Sequence, residues 1–256
     1  MKKMKYAAAP LVMIVLILGG CSFFKNGDPK PRLSMCIGVD ISGSFMNSPY
    51  YDDSIGFLAK YIYSHMHGLG GMEVPNALFL SSIGGARANE PKTFFPKQTF
   101  ENKSVKEIEA KLSKIFPREK SNPFTDYNAF FEQIALTVKN KNLVLRPITV
   151  VMVSDGIPDL SSPGGNDYKS IVVNPLERLA RSVTVRLLYT SPTVGRNWQT
   201  KVKRRRVKVW TQDAEVMVSW KDPQIYLRGR PLEKQDRYFA WIKDNVDFGV
   251  RARRVD

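Results

Sequence analysis

Cysteine and histidine are scarce in this 256-residue chain, two of each. Two cysteines exclude a disulfide-dense scaffold, so the core must hold together by burial. The two histidines, His65 and His67, argue against a zinc site by their placement. Standing two apart on a helix, they point to different sides, and both are expected to be exposed. The apolar run from Ala7 to Leu18 is interrupted by Pro10 and is too short to span a bilayer comfortably. Neither an internal repeat nor a low-complexity tract is present. No catalytic triad can be picked out, and Cys36 has no supporting motif with the histidines. Acids are also few: 24 Asp plus Glu face 39 Lys plus Arg, a net charge of +15. That excess favours anionic surfaces, whether lipid head groups, acidic polysaccharide or nucleic acid, without choosing among them. A simply basic solvated surface would carry it equally well. What is present is ordinary for one medium globular domain: 43% hydrophobic and 25% charged residues.

The amino terminus combines Lys2, Lys3 and Lys5, the short apolar run, and then Leu18-Gly19-Gly20-Cys21. The order is that of an export signal. The last four residues resemble a lipobox, the motif at which bacterial lipoprotein precursors are lipidated and cut. The resemblance implies residues 1–20 as signal peptide, lipidation at Cys21, and a bacterial cell-envelope location. With Ser22 rather than Asp next, it implies the periplasmic side of the outer membrane if the host is Gram-negative. Removing three lysines would leave +12. Residues 21–32 then form a lipid-anchored linker rich in Pro and Gly. Its extended reach is about 35 Å, at roughly 3.3–3.6 Å per residue.

Strands and helices alternate from Leu33 onward. Residues 33–40, 75–83, 148–154, 183–189 and 207–210 read as strands. Helical stripes run through 52–67, the Ser104/Glu107 capping box and its successors, Tyr127 to Val138, a start at Asn174-Pro175, and a closing helix over Leu232–Val246. Continuous apolar strands between amphipathic helices predict an α/β, Rossmann-like three-layer sandwich: a mostly parallel sheet with helices on both faces. Ligands of such folds bind beyond the carboxyl ends of the strands, where Asp40 and Asp155 both fall.

After the first strand the chain reads Asp40-Ile41-Ser42-Gly43-Ser44, one carboxylate and two hydroxyls, with Gly43 expected to permit a tight path. Thr125 precedes a helix, and Val153-Ser154-Asp155-Gly156 ends a buried strand. Oxygen ligands without Cys or His suit a hard divalent cation. In this order the pieces resemble the metal-ion-dependent adhesion site of von Willebrand factor A domains, over roughly residues 33–220. The resemblance implies that Ser42, Ser44 and Thr125 coordinate Mg²⁺ (or Mn²⁺ or Ca²⁺) through hydroxyls. Asp40 and Asp155 would then stand in or near the first shell. It further implies a non-enzymatic role, an open position on the ion accepting an acidic residue of a protein partner. Singly, each residue is also a good turn former or helix cap. Phe124 departs from the family, which places small glycines before the threonine. Ile83 to Lys103 is long and poor in helical signal. Residues 221–256 have no family counterpart, and their helix is expected to pack back through Tyr238, Phe239, Trp241 and Ile242.

Between Arg196 and Lys208 seven basic residues occur without an acid, beside Trp198 and Trp210. Such a segment could hold phosphates and stack bases, or contact anionic lipid or glycan, or be a solvated edge. Export argues against nucleic acid. Two other function classes stay open: a metal-dependent hydrolase or phosphatase with Asp40 as nucleophile, and a structural lipoprotein with an empty site.

Overall fold

The computed structural model describes residues 31–84, 93–121, 125–158 and 167–248. Cys21 and Phe124 lie outside them, as does part of the Ile83–Lys103 stretch. Six strands form one sheet: β1 (Ser34–Asp40), β2 (Ala77–Ile83), β3 (Phe95–Pro96), β4 (Ile148–Val153), β5 (Val183–Thr190) and β6 (Val207–Asp213), in the order β3-β2-β1-β4-β5-β6. All pairings are parallel except that of β3 with β2. Around the sheet run α1 (Gly43–Met46), α2 (Tyr51–Met66), α3 (Val105–Ile115), α4 (Tyr127–Asn140), α5 (Asn174–Glu177), α6 (Pro192–Lys201), α7 (Ala214–Val218) and α8 (Asp236–Asn245).

Alternation along the strands divides the core. Met35, Ile37 and Val39 of β1 face one apolar cluster with Leu58 and Ile62 of α2, Leu112 of α3 and Ile242 of α8. Cys36 faces the other, with Phe130 and Ile134 of α4 and Trp198 of α6. The expected sandwich is therefore observed, with β1 and β4 central and buried on both sides. Tyr238, Phe239, Trp241 and Ile242 are all buried in the first cluster, so the last helix packs on the domain. Ser104 closes its capping box: its hydroxyl accepts from Glu107 N, and Ser104 N donates to Glu107 Oε2 at 2.8 Å.

Several elements differ from expectation for identifiable reasons. The closing helix is broken at the buried Gln235, whose side chain accepts from Leu227 N and donates to the carbonyls of Leu227 and Arg230. That clamp leaves a 3₁₀ turn at Leu232–Lys234 before α8. Asn174-Pro175 does start a helix, but α5 is a single turn. His65 is buried, not exposed: Nδ1 lies 2.9 Å from the Glu73 carbonyl and Nε2 lies 3.6 Å from Asp247. The same Asp247 accepts from Tyr61 and pairs with the buried Arg186. His67 is exposed as expected.

Candidate metal centre

In the parallel pairing of β1 with β4, Val39 stands opposite Val153. The register delivers Asp40 and the Ser154-Asp155 pair to the same carboxyl edge, although they are more than a hundred residues apart. Asp40 is fully buried. Its Oδ1 accepts from Ser42 N at 2.8 Å and its Oδ2 from the Ser154 hydroxyl at 2.5 Å. Ser42 caps α1, its hydroxyl accepting from Phe45 N, and lies 3.1 Å from the Ser44 hydroxyl. Ser44 in turn hydrogen-bonds to Asp155, whose Oδ1 also accepts from Ile157 N at 3.0 Å. Four of the five expected residues thus form one connected cluster. Thr125 is buried just before Asp126, which caps α4 by accepting from Ala129 N. Among the described residues no hydrogen bond joins Thr125 to the other four. Its neighbour Tyr127 does reach them, through Ser154.

Ser154 and Tyr127 are the residues that sequence reasoning passed over. The Ser154 hydroxyl lies 2.7 Å from the Tyr127 hydroxyl and accepts from Gly156 N at 2.9 Å, so it ties Asp40, α4 and the loop after β4 together. The Gly156 carbonyl accepts from Trp198 Nε1 at 2.7 Å. Gly156 has φ +77°, and a Cβ there would stand 2.8 Å from Val194, so its turn needs glycine. Gly43 does not. It begins a helical turn at ordinary φ, and an added Cβ would meet only the Asn47 side chain, at 3.9 Å. The path through Asp40–Ser44 is set by the cap at Ser42 instead.

Burial pushes the Asp40 carboxyl up to about 7, and the Asp155 carboxylate adds to that rise. The donors Ser154 and Ser42 oppose it. Asp155 is raised by its own burial, against the pull of Ile157 N and Ser44. Tyr127 is raised well above its usual range by burial and then by the two carboxylates. Two acids crowded at a buried edge repel each other, and the hydroxyls around them are neutral oxygens. This donor set fits a hard divalent ion. Among the described residues no three His, Cys, Asp or Glu gather in one place, so such a site would rest on hydroxyls plus two acids. Beside Ser44 and Asp155 opens a cavity of about 290 Å³, lined also by Tyr50, Tyr189, Thr190 and Asp213.

The basic segment is corrected in one respect. Trp198 is fully buried and bonded to Gly156, so it cannot stack on a base.

No protein-family model matches the sequence, and no curated protein matches it. Solved structures do. The chain is similar to the pilus adhesin SpaC of Lactobacillus rhamnosus GG (11% identity, TM-score 0.51, 77% of this chain and 30% of that one). It is also similar to proximal thread matrix protein 1 from the mussel byssus in a form with a zinc-occupied MIDAS motif, at 13% identity and TM-score 0.43, covering 82% of this chain and 46% of that one. A third likeness is to the SpRpn10 VWA domain (12%, TM-score 0.39, 74% and 95%). The chain spans less than half the length of the adhesin and matrix proteins it matches. At these identities the likeness speaks to the fold alone. Strand order and layer arrangement make this an α/β, Rossmann-like sandwich, a fold it shares with the adhesin.

Proposed function

We propose that the chain is a membrane-anchored envelope protein whose domain binds a protein partner through a divalent metal ion held by Asp40, Ser42, Ser44, Thr125 and Asp155. One observation carries the reading: a fully buried Asp40 and a half-buried Asp155 share one sheet edge, with hydroxyls between and in front of them. When bound, a divalent cation would supply an open position for an acidic oxygen of the partner. The chain's own residues do the rest. Ser42 N and Ser154 fix the Asp40 carboxylate; Ile157 N and Ser44 fix that of Asp155. Ser44, the exposed member, marks the mouth of the site and the side from which a partner comes. The adjoining cavity could receive an apolar side chain next to the acidic one.

A binding role is favoured over a hydrolytic one because Asp40 is fully buried and fixed by Ser42 N and Ser154. It would stand behind the ion, out of a substrate's reach, and not attack as a nucleophile. Anchoring rests on the sequence around Cys21. Among the described residues no helix is long and apolar enough to cross a membrane.

Titration of the full chain with Mg²⁺ or Mn²⁺ tests the site. The melting temperature should rise by several degrees, and Ser44→Ala and Asp40→Ala should each remove the rise. An absent rise in the wild type, or an equal one in both variants, would overturn the reading.

A further inference from the structure

The opposite edge of the sheet has its own pattern. Ser34 of β1 stands in register with Ile148 of β4, Ile148 with Val183 of β5, and Val183 with Val207 of β6. Two residues before each of these positions is an arginine: Arg32, Arg146, Arg181 and Arg205. With strands about 4.8 Å apart, the four fall along a stripe of roughly 14 Å. None of them belongs to an ion pair among the described residues. Glu177 accepts from the backbone N–H groups of Arg205 and Arg206, and the Arg205 charge helps to hold its carboxyl below the usual value. Arg205 also lines a crevice of about 550 Å³, where Arg178, Lys203, Arg204 and Arg205 outnumber the single acid Glu177.

A second observation lies in the same stripe. Leu145, next to Arg146, is 76% exposed, and Val144 beside it is exposed too. Leu145 is held at φ +70°, a conformation costly for leucine, by its N–H donating to the Leu179 carbonyl at 2.8 Å. The fold thus spends strain to present an apolar side chain among arginines. Against a nucleic acid that leucine would have nothing to bury in. At a lipid interface it enters the acyl boundary while the guanidinium groups meet phosphates.

We infer that this edge is a docking surface for an anionic lipid membrane. The choice of lipid rests on the anchoring part of the proposed function, because Pro31 and Arg32 place the start of the described chain on this same edge.

Residues 31–256 form a compact unit in themselves, so this fragment is the probe. Its binding is measured to vesicles of phosphatidylcholine alone and of phosphatidylcholine mixed with phosphatidylglycerol, with EDTA present. The wild-type fragment should prefer the mixed vesicles, with affinity falling as salt rises. Each basic residue at an anionic surface is about a fivefold effect, so Arg146→Glu/Arg181→Glu/Arg205→Glu should weaken binding at least ~100-fold at an unchanged melting temperature. Leu145→Ser should weaken it roughly tenfold. Equal binding to both vesicles, or equal binding by the triple variant, would overturn the inference. So would duplex DNA binding as tight as vesicle binding and indifferent to Leu145→Ser. EDTA keeps the metal centre out of this test, and the fragment lacks the anchor. Failure here therefore leaves the metal-dependent reading standing, and failure of the Mg²⁺ titration leaves this one.

Discussion

Replacing Asp40 by asparagine should stabilise the metal-free protein while abolishing its response to metal. In the fold the Asp40 carboxyl is raised to about 7 from 3.8, by burial first and by Asp155 second. The unfolded chain gives up this proton near pH 4, whereas the folded one keeps it until near pH 7. Between those values the native state binds more protons, so stability falls as pH rises. Some three pH units at about 1.4 kcal/mol each set an upper figure of ~4 kcal/mol lost by pH 8. Asparagine carries no charge to desolvate. Its oxygen can still accept from Ser42 N, and its amide can donate to the Ser154 hydroxyl, which is free to donate to Tyr127 instead. In EDTA, thermal melts from pH 4 to 8 should show the wild type losing stability across this window and Asp40→Asn nearly flat. At pH 8 the variant should be the more stable by about 2–4 kcal/mol, or roughly 5–10 °C. Saturating Mg²⁺ should narrow or close that gap, since an ion at 100 times its Kd adds about 2.7 kcal/mol to the wild type alone. A wild type without metal whose stability is level or climbs from pH 4 to 7, or an Asp40→Asn variant less stable at pH 8, would refute the reasoning.

Further outcomes follow from the same geometry. Gly156→Ala should cost at least about 2 kcal/mol in denaturant melts, because its Cβ would meet Val194 and Leu187 at a left-handed φ, whereas Gly43→Ala should stay within ~0.5 kcal/mol of wild type. Trp198→Phe strips the Gly156 carbonyl of its buried donor and should cost about 1–3 kcal/mol by chemical denaturation, with a weaker Mg²⁺ response. Asp247→Ala leaves the buried Arg186 without its carboxylate and should cost roughly 3–5 kcal/mol. Burial raises the Asp247 carboxyl, but His65, Arg186 and Tyr61 outweigh it and hold it below its usual value. Its contribution is therefore present above about pH 4 and lost on further acidification, outside the Asp40 window. A wild-type acid limb that Asp247→Ala leaves unchanged would count against this.

The central strands were readable in the sequence because β1, β4 and β5 are buried on both faces and therefore continuously apolar. The cluster of Asp40, Ser42, Ser44 and Asp155 was readable because these residues follow strand ends, whereas among the described residues no hydrogen bond ties Thr125, which precedes a helix, to them. Elements that draw little on apolar periodicity were not readable. Helix α6 has a Ser191-Pro192 start, yet its only large buried apolar side chains are Val194 and Trp198, too thin a stripe to register. Strand β3 is two residues long, below any pattern. His65 looked exposed because its burial depends on Glu73 and Asp247, one a loop away and the other near the far end of the chain. The support that Ser154 gives Asp40 is likewise a relation between strands. Only the register of β1 against β4 reveals it.

The sheet's two margins bear on how copies of this protein can meet. At one margin Pro96 has no N–H to offer, and β3 ends after two residues, leaving little backbone for another strand to join. At the other, β6 is flanked and studded by Arg206 and Lys208, so a second copy arriving edge-on would bring like charge against like. Neither side welcomes extension of the ladder. Crowded copies should accordingly stay separate, or associate through loops and helix faces, and the protein should resist fibril growth even at high local density.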